Sequence, residues 1–359
     1  MGLLRYAVRR LLQAVPVILG IVTITFFLSN AIPGDPVDVM LGPSPGQRQA
    51  AAIRAKFGLD QPLWLRYVNY LGDVSPIWLS TVDSFPYVVP EFGVDLGRSI
   101  KFGAPVSEKI MERLPVTLLL MGSAFAFAIA TAVPLGVISA YRRNKPTDHV
   151  SRVVALIGVS TPSFWIGLLL IIVFAFHLGW FPSSNLVMPW NLPPAAAEAS
   201  LLSVEFWRIA ASHQVTVTKH LLLPTISLGT LQMAAITRIE RSAMLEQLSQ
   251  EYVQLARAYG VSDRKILRKH AFRPAQLPVI TIVGLQLTAA IGGAVLTETV
   301  FAINGMGLLI IQGIKALDYP LIMGTTIVFG LVFVIGVIVT DISYAYVDPR
   351  VSYGEQGAA

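Results

Sequence analysis

The chain contains no cysteine in its 359 residues, and only 13% of those residues are charged. Without cysteine there is no disulfide, no thiol nucleophile and no thiolate-held metal, and redox chemistry is not expected. Soluble domains carry about 25% charged residues, so charge this sparse excludes an ordinary water-soluble fold. His-Glu-x-x-His, Gly-x-Ser-x-Gly and the phosphate-cradling Gly-x-x-x-x-Gly-Lys-Ser/Thr are all missing, the last down to its Gly-Lys pair. The five histidines, His149, His177, His213, His220 and His270, are scattered without metal-ligand spacing. These gaps leave no catalytic centre, metal site or cofactor site to assign to the chain.

What the chain has is apolar residues: 54% of it is hydrophobic, with a mean hydropathy of +0.64. A spanning helix needs roughly 20 mainly apolar residues to cross about 30 Å of hydrocarbon. Six stretches qualify: Leu11–Ile32, Pro115–Tyr141, Ser151–Phe176, Leu221–Ile239, Val279–Val300 and Leu321–Tyr346. A membrane barrel would show short alternating segments instead, so the expectation is an all-α polytopic membrane protein with six transmembrane helices. Basic residues precede the first run and Ser29-Asn30-Ala31 looks like a signal-peptide cleavage site. The run exceeds the 7–15 residue core of a signal, however, and reads as an uncleaved anchor.

The pI near 9.5 could suggest nucleic acid, but the basic residues collect on one side of the expected membrane. With the N-terminus inside, Arg5, Arg9, Arg10, Arg142, Arg143, Lys145, Arg152, Arg238, Arg241, Arg257, Arg264, Lys265, Arg268, Lys269, Arg273 and Arg350 are cytoplasmic, 16 of 27. Eight more lie in the long Pro33–Leu114 loop, where charge has little influence on orientation, which leaves Arg208, Lys219 and Lys315 outside. Both termini are therefore expected in the cytoplasm, and no nucleic-acid partner is.

Residues 1–32 then form the cytoplasmic N-terminus and first span, 33–114 an extracytoplasmic loop, 115–350 a five-helix transmembrane core with a cytoplasmic loop at 240–278, and 351–359 a tail. Within the outer loop, Gln47–Phe57 suits a short helix stopped by Gly58. Leu63, Tyr67 and Tyr70 share one face of a second, interfacial helix. Asp73–Asp95 reads as an insertion, and His177–His220, with four prolines, as an irregular outer loop. Pro16, Pro134, Pro162 and Pro224 lie inside spans, where each removes a backbone bond. Gly284, Ala289, Gly292 and Gly293, like Gly324, Gly330 and Gly336, form small-residue faces that allow close helix packing. Gln232, Gln286, Thr288, Gly292 and Gly293 are the candidate pore-lining residues, with interhelical packing and hydrogen bonding as the alternative.

One polar, basic, helix-patterned stretch stands between membrane-grade runs. Tyr252, Leu255, Ala256 and Tyr259 recur at helical spacing from Glu251, and Gly260 ends that helix. Ser262 can cap a second helix, with Asp263 in its first turn and Ile266 and Leu267 on its apolar side, and Pro274 and Pro278 close the unit. A soluble partner could take the first helix in a groove, with Arg257, Arg264 and Arg268 setting register. The same pattern also suits a helix pair resting on anionic lipid.

The string Glu251-Tyr252-Val253-Gln254-Leu255-Ala256-Arg257-Ala258-Tyr259-Gly260, followed by His270-Ala271-Phe272-Arg273-Pro274-Ala275-Gln276-Leu277-Pro278, resembles the cytoplasmic EAA loop of ABC importer permeases. Within that class it is most similar to the B-type subunit of dipeptide, oligopeptide and nickel importers. Ile32-Pro33-Gly34-Asp35-Pro36, Gly58-Leu59-Asp60-Gln61-Pro62-Leu63, Asp95-Leu96-Gly97-Arg98-Ser99, Pro115-Val116-Thr117-Leu118, Glu298-Thr299-Val300-Phe301, Gly305-Met306-Gly307 and Asp318-Tyr319-Pro320 agree with it. The chain departs in having Gln254, Leu255 and Ala256 where the wider class has Glu-Ala-Ala, and in longer stretches at Asp73–Asp95 and Leu186–Lys219.

The resemblance implies the type I ABC importer permease fold and a prokaryotic inner-membrane location. The implied partners are a second homologous permease, two cytoplasmic ATPase subunits that use ATP and Mg, an extracytoplasmic substrate-binding protein and membrane lipid. The implied ATPase-coupling residues are Glu251, Tyr252, Gln254, Leu255, Ala256, Arg257, Ala258, Gly260, Asp263, Arg264 and Arg268. Short peptides are the expected cargo, with nickel, haem or glycosides as the alternatives. An ion-driven secondary transporter is the rival reading. It would bury carboxylates near midspan at broken helices, and none of the six expected spans holds one at depth.

Overall fold

The computed structural model describes residues 3–31, 33–34, 37, 41, 46–56, 58–74, 77–81, 88–92, 94–198, 200 and 202–347. The described residues are overwhelmingly helical, with one two-stranded exception. They divide into two compact units: Met1–Arg10, Pro115–Gly307 and Phe333–Ala359 form one, and Leu11–Leu114 with Leu308–Val332 the other.

Among the described residues four helices are continuous and apolar enough to span, α1 (Leu3–Ala31), α4 (Val106–Tyr141), α8 (Val204–Leu248) and α13 (Tyr319–Val347), while α7 (Pro194–Glu198) and α12 (Met306–Lys315) are short. Two bent pairs bring the number to six when each pair counts as one span, by length and composition. In the first pair, α5 (Pro146–Ser160) and α6 (Ser163–Leu170), extended by a π turn at Ile171–His177, meet at 105°. The expected straight span Ser151–Phe176 is thus broken. Thr161 precedes Pro162 and takes the extended conformation that a following proline imposes, with ψ 128°, and Pro162 follows at ψ 136°. The second pair bends by 51° between Asp263–Leu287 and Ala290–Val300.

α8 is far longer than the expected Leu221–Ile239. Its 45 residues rise roughly 68 Å at 1.5 Å each, about twice the hydrocarbon thickness. Much of the expected irregular outer loop is therefore helix. Its start is legible: Ser203 is extended, and its Oγ accepts the Phe206 N–H at 3.1 Å, a regular N-cap with Glu205 in the first turn.

The unit holding 115–307 is packed around α8. Leu120, Ala124 and Phe125 of α4 meet Leu223 and Leu228 of α8, Ala290 and Ala294 of α11 (Phe272–Val300), and Phe301. Gly284 lets α11 approach the later part of α13, because a Cβ there would overlap the Thr340 side chain. In the other unit, Val22 and Phe26 of α1 pack with Tyr70, Tyr319, Met323 and Ile327. That unit carries α2 (Gln47–Lys56) and α3 (Leu63–Val74), as the sequence predicts. On α3, Tyr67 and Tyr70 lie 5.3 and 5.6 Å from the Phe26 ring, while Leu63, Trp64 and Val68 stay exposed. The Asp73–Asp95 insertion forms an antiparallel pair, β1 (Ile77–Thr81) with β2 (Val88–Phe92), in register Ile77 to Phe92.

Candidate functional site

The segment after α8 begins at Gln250, extended at ψ 149°, and turns into α9 (Glu251–Ala258). α9 is pinned by one side chain, Val253, which is fully buried, while Tyr252, Leu255 and Tyr259 are 41%, 57% and 80% exposed. The stripe expected to be apolar is thus the face left open, and Val253, absent from that stripe, is the anchor. Residues three and four apart share one helix face, so Val253 points away from Leu255 and Tyr259.

α9 ends in a Schellman closure, with Gly260 N–H on Arg257 O at 2.9 Å and Val261 N–H on Ala256 O at 3.0 Å. Gly260 sits at φ +75°, which side chains other than glycine adopt only with strain. Ser262 then starts α10 (Asp263–Lys265), but its hydroxyl makes no cap bond; its carbonyl, bonded by Lys265 and Ile266 N–H, nucleates the turn. Arg257 and Asp263 form a half-exposed ion pair at 3.8 Å, a pair of small energetic consequence. Arg264 and Arg268 are exposed.

The segment does not close at Pro274. A π turn, Ile266–Ala271, runs directly into α11, so Pro274 lies in the first turn and Pro278 inside the helix. Pro274 has no N–H to give His270 O four residues earlier, and the Tyr252 hydroxyl, which donates to Gln247 Oε1 at 2.8 Å, lies 3.3 Å from that carbonyl. Buried Ile266, together with Ala271 and Ala275 packed on Ala140, Ala243 and Met244, holds this base rigidly to α4 and α8.

Beside that base stands a polar cluster the sequence reading missed. Asp148, fully buried, accepts Arg241 Nε at 2.7 Å and Nη2 at 3.0 Å, Ser139 Oγ at 2.7 Å and Asn144 N–H at 2.9 Å. Its chain signal was present, an acid in the turn after Pro146, where carboxylates suit the positive helix end. Glu240, also buried, accepts both bonds of Gln276 Nε2 at 3.1 Å.

The scattered motifs acquire reasons in the same way. Glu298 accepts Thr117 Oγ1 at 2.5 Å and Gly307 N–H at 2.7 Å, while Met306 N–H reaches Thr117 Oγ1 at 2.8 Å. A Cβ at Gly305 would overlap the Glu298 carboxylate, so the Gly305-Met306-Gly307 turn is shaped around that acid. In the other unit, Asp318 accepts Ser99 Oγ at 2.5 Å and Lys101 N–H at 2.9 Å, joining Asp95-Leu96-Gly97-Arg98-Ser99 to Asp318-Tyr319-Pro320.

The candidate pore residues do not behave as a set. Gln232 is 2% exposed, inside the bundle. Gln286 is half-buried, Gly293 approaches Leu228, and Gly292 is exposed with open space at its Cα. The side chain of Thr288 lies outside the described residues.

Residues 132–353 match the family described as binding-protein-dependent transport system inner membrane component, and residues 3–122 match its N-terminal companion. The chain belongs to that family. The permease is 37% identical, over 97% of its length and 99% of the relative's, to the oligopeptide transport system permease protein AppB of Bacillus subtilis. It is 36% identical to the dipeptide transport system permease protein DppB of Alkalihalophilus pseudofirmus, over 98% of this chain and 100% of the relative. It is 37% identical to the probable D,D-dipeptide transport system permease protein DdpB of Escherichia coli, over 94% of both. The permease is a multi-pass inner-membrane component of an ABC import system and not an enzyme.

Proposed function

We propose that this permease forms half of the translocation path of an ABC importer for short peptides, with a second related permease as the other half. Two cytoplasmic ATPase subunits, which hold the ATP and Mg, seat on α9, and an extracytoplasmic binding protein delivers the cargo. Both termini are cytoplasmic, 33–114 is the outer loop, and 240–278 is the coupling loop of the 115–350 core. The peptide cargo is supported by the oligopeptide and dipeptide transport named for three relatives.

The observation that carries the reading is the open stripe of Tyr252, Leu255 and Tyr259 on a helix fixed from behind by Val253. Exposed apolar residues on a polar, rigidly founded helix match the anchors of helix-in-groove recognition. Glu251, Gln254, Arg257, Ala258, Asp263, Arg264 and Arg268 supply the polar rim, Ala256 the space between anchors and Gly260 the corner. Closure of the ATPases on nucleotide then displaces a helix wired through Ile266 and Ala271 into α4 and α8, and alternating access follows. For this to work the two states must differ in affinity for the ATPases.

The test is co-expression with the ATPase subunits. Leu255→Glu is expected to abolish ATPase copurification while the thermal melting of the permease stays unchanged, since the Leu255 side chain is 57% exposed. Copurification at the parental ratio overturns the docking assignment. Because the chain lacks cysteine, Asp263→Cys gives one label site, expected to react only from the cytoplasmic side.

A further inference from the structure

Away from α9, a groove of about 290 Å³ opens between α5 and α8, and its chemistry changes along its length. One end carries three guanidinium groups, Arg152, Arg238 and Arg241; the other is walled by Ala155, Leu156 and Val159. On α5, Arg152, Leu156 and Val159 fall four and three residues apart and share a face, so charge gives way to hydrocarbon over roughly 10 Å. Leu156 is 67% exposed and Val159 38%. The helices touch at Gly158, where a Cβ would meet Ala234 at 2.8 Å, and the groove lies beside that contact.

The charge at the basic end is not neutralised. Asp148 is the one carboxylate paired there, through its 2.7 Å bond to Arg241, and Arg152 reaches it only at 3.6 Å. Arg238 has no ion-pair partner among the described residues, and no carboxylate lines the groove. Three cations against one buried anion, placed where an apolar helix face meets its polar end, call for a ligand with an anionic head and an apolar body.

We propose that this groove binds an anionic phospholipid, its phosphate on Arg152 and Arg238 and an acyl chain along Leu156 and Val159. Arg241 is oriented by Asp148 and presents its remaining N–H groups to the same head. The bound lipid bridges α5 to α8 at the foot of the core, beside the base of the coupling loop. A membrane lipid fits better than a free anion because the apolar wall is continuous with the basic end. It fits better than a protein because, apart from Arg152, the exposed residues of α5 from Val150 to Val159 are aliphatic.

The experiment is native mass spectrometry of the full-length permease in detergent, titrated with phosphatidylglycerol, phosphatidylcholine or inorganic phosphate. Phosphatidylglycerol is expected to bind preferentially at one saturable site. Arg152→Gln with Arg238→Gln should weaken it roughly thirty-fold, to the phosphatidylcholine level. The charge-retaining Arg152→Lys with Arg238→Lys should keep the preference, which separates charge recognition from misfolding. An unchanged preference in the glutamine variant overturns the proposal. Displacement of the lipid by millimolar phosphate, marking a free-anion site, overturns it also, as does its expulsion when the second permease assembles, marking a protein interface.

Discussion

Replacing Arg241 by leucine strands a carboxylate that has no exposure at all. In the native protein Asp148 takes two bonds from the Arg241 fork, one from Ser139 and one from the Asn144 backbone. Removing one partner of a buried ion pair costs about 3–5 kcal/mol, because the remaining charge keeps its desolvation penalty. Ser139, Asn144 and the Arg152 guanidinium at 3.6 Å persist, which puts Arg241→Leu at about 3 kcal/mol or less, at or below the lower end of that range. Asp148→Leu should cost less, about 1–3 kcal/mol, since the Arg241 side chain is 18% exposed and can turn toward water. The double leucine variant removes both charges and should lie within about 1 kcal/mol of the parent. The coupling energy across the cycle is then about 3 kcal/mol. Equilibrium SDS unfolding of the purified permease in mixed micelles, followed by circular dichroism, measures all four corners. Additivity of the two single changes within about 0.5 kcal/mol would refute the buried-pair argument.

Tyr70→Phe is expected to stabilise the protein by about 1 kcal/mol in the same assay, because the Tyr70 hydroxyl is buried without a partner among the described residues. Burial also pushes the Tyr70 hydroxyl well above the usual tyrosine value. Stability from the neutral phenol is therefore complete below pH 10 and fades only as the pH climbs through the raised value. Tyr70→Phe should take no amplitude from the tyrosinate absorbance step near pH 10 and should blunt unfolding in stronger alkali; a lost step contradicts the burial. Gly260→Ala should cost about 1 kcal/mol and raise hydrogen exchange at Val261 N–H, whereas Gly260→Asn, which tolerates positive φ, should cost less. Equal exchange in both variants would deny the left-handed corner its role. Gly305→Ala should cost at least about 2 kcal/mol by driving a methyl group into the Glu298 carboxylate, and Thr117→Val added to it should be less than additive.

Much of this protein is written locally. Apolar runs longer than a bilayer is thick fixed the helical class and put a hydrophobic segment at each spanning element. Ser203 marks the start of α8 by its own hydroxyl, and Gly260 marks the end of α9 by the backbone angle it allows. The apolar stripe of α9 was legible from the spacing of Tyr252, Leu255 and Tyr259 alone, because helical periodicity is a property of the chain and not of its surroundings.

What periodicity cannot state is which face is covered and by what. Val253 as the anchor and the Tyr252 hydroxyl bonded to Gln247 Oε1 both depend on neighbouring helices. The pairings of Asp148 with Arg241, Glu298 with Thr117, and Asp318 with Ser99 span 93, 181 and 219 residues. Sequence by itself determined where the chain is too apolar for water and where a residue such as Gly260 can end a helix, because those follow from transfer free energy and short-range backbone bonding. Only the tertiary structure decided which acids are neutralised and by whom, because a buried charge is satisfied by whatever the fold brings within about 3 Å, however distant in the chain.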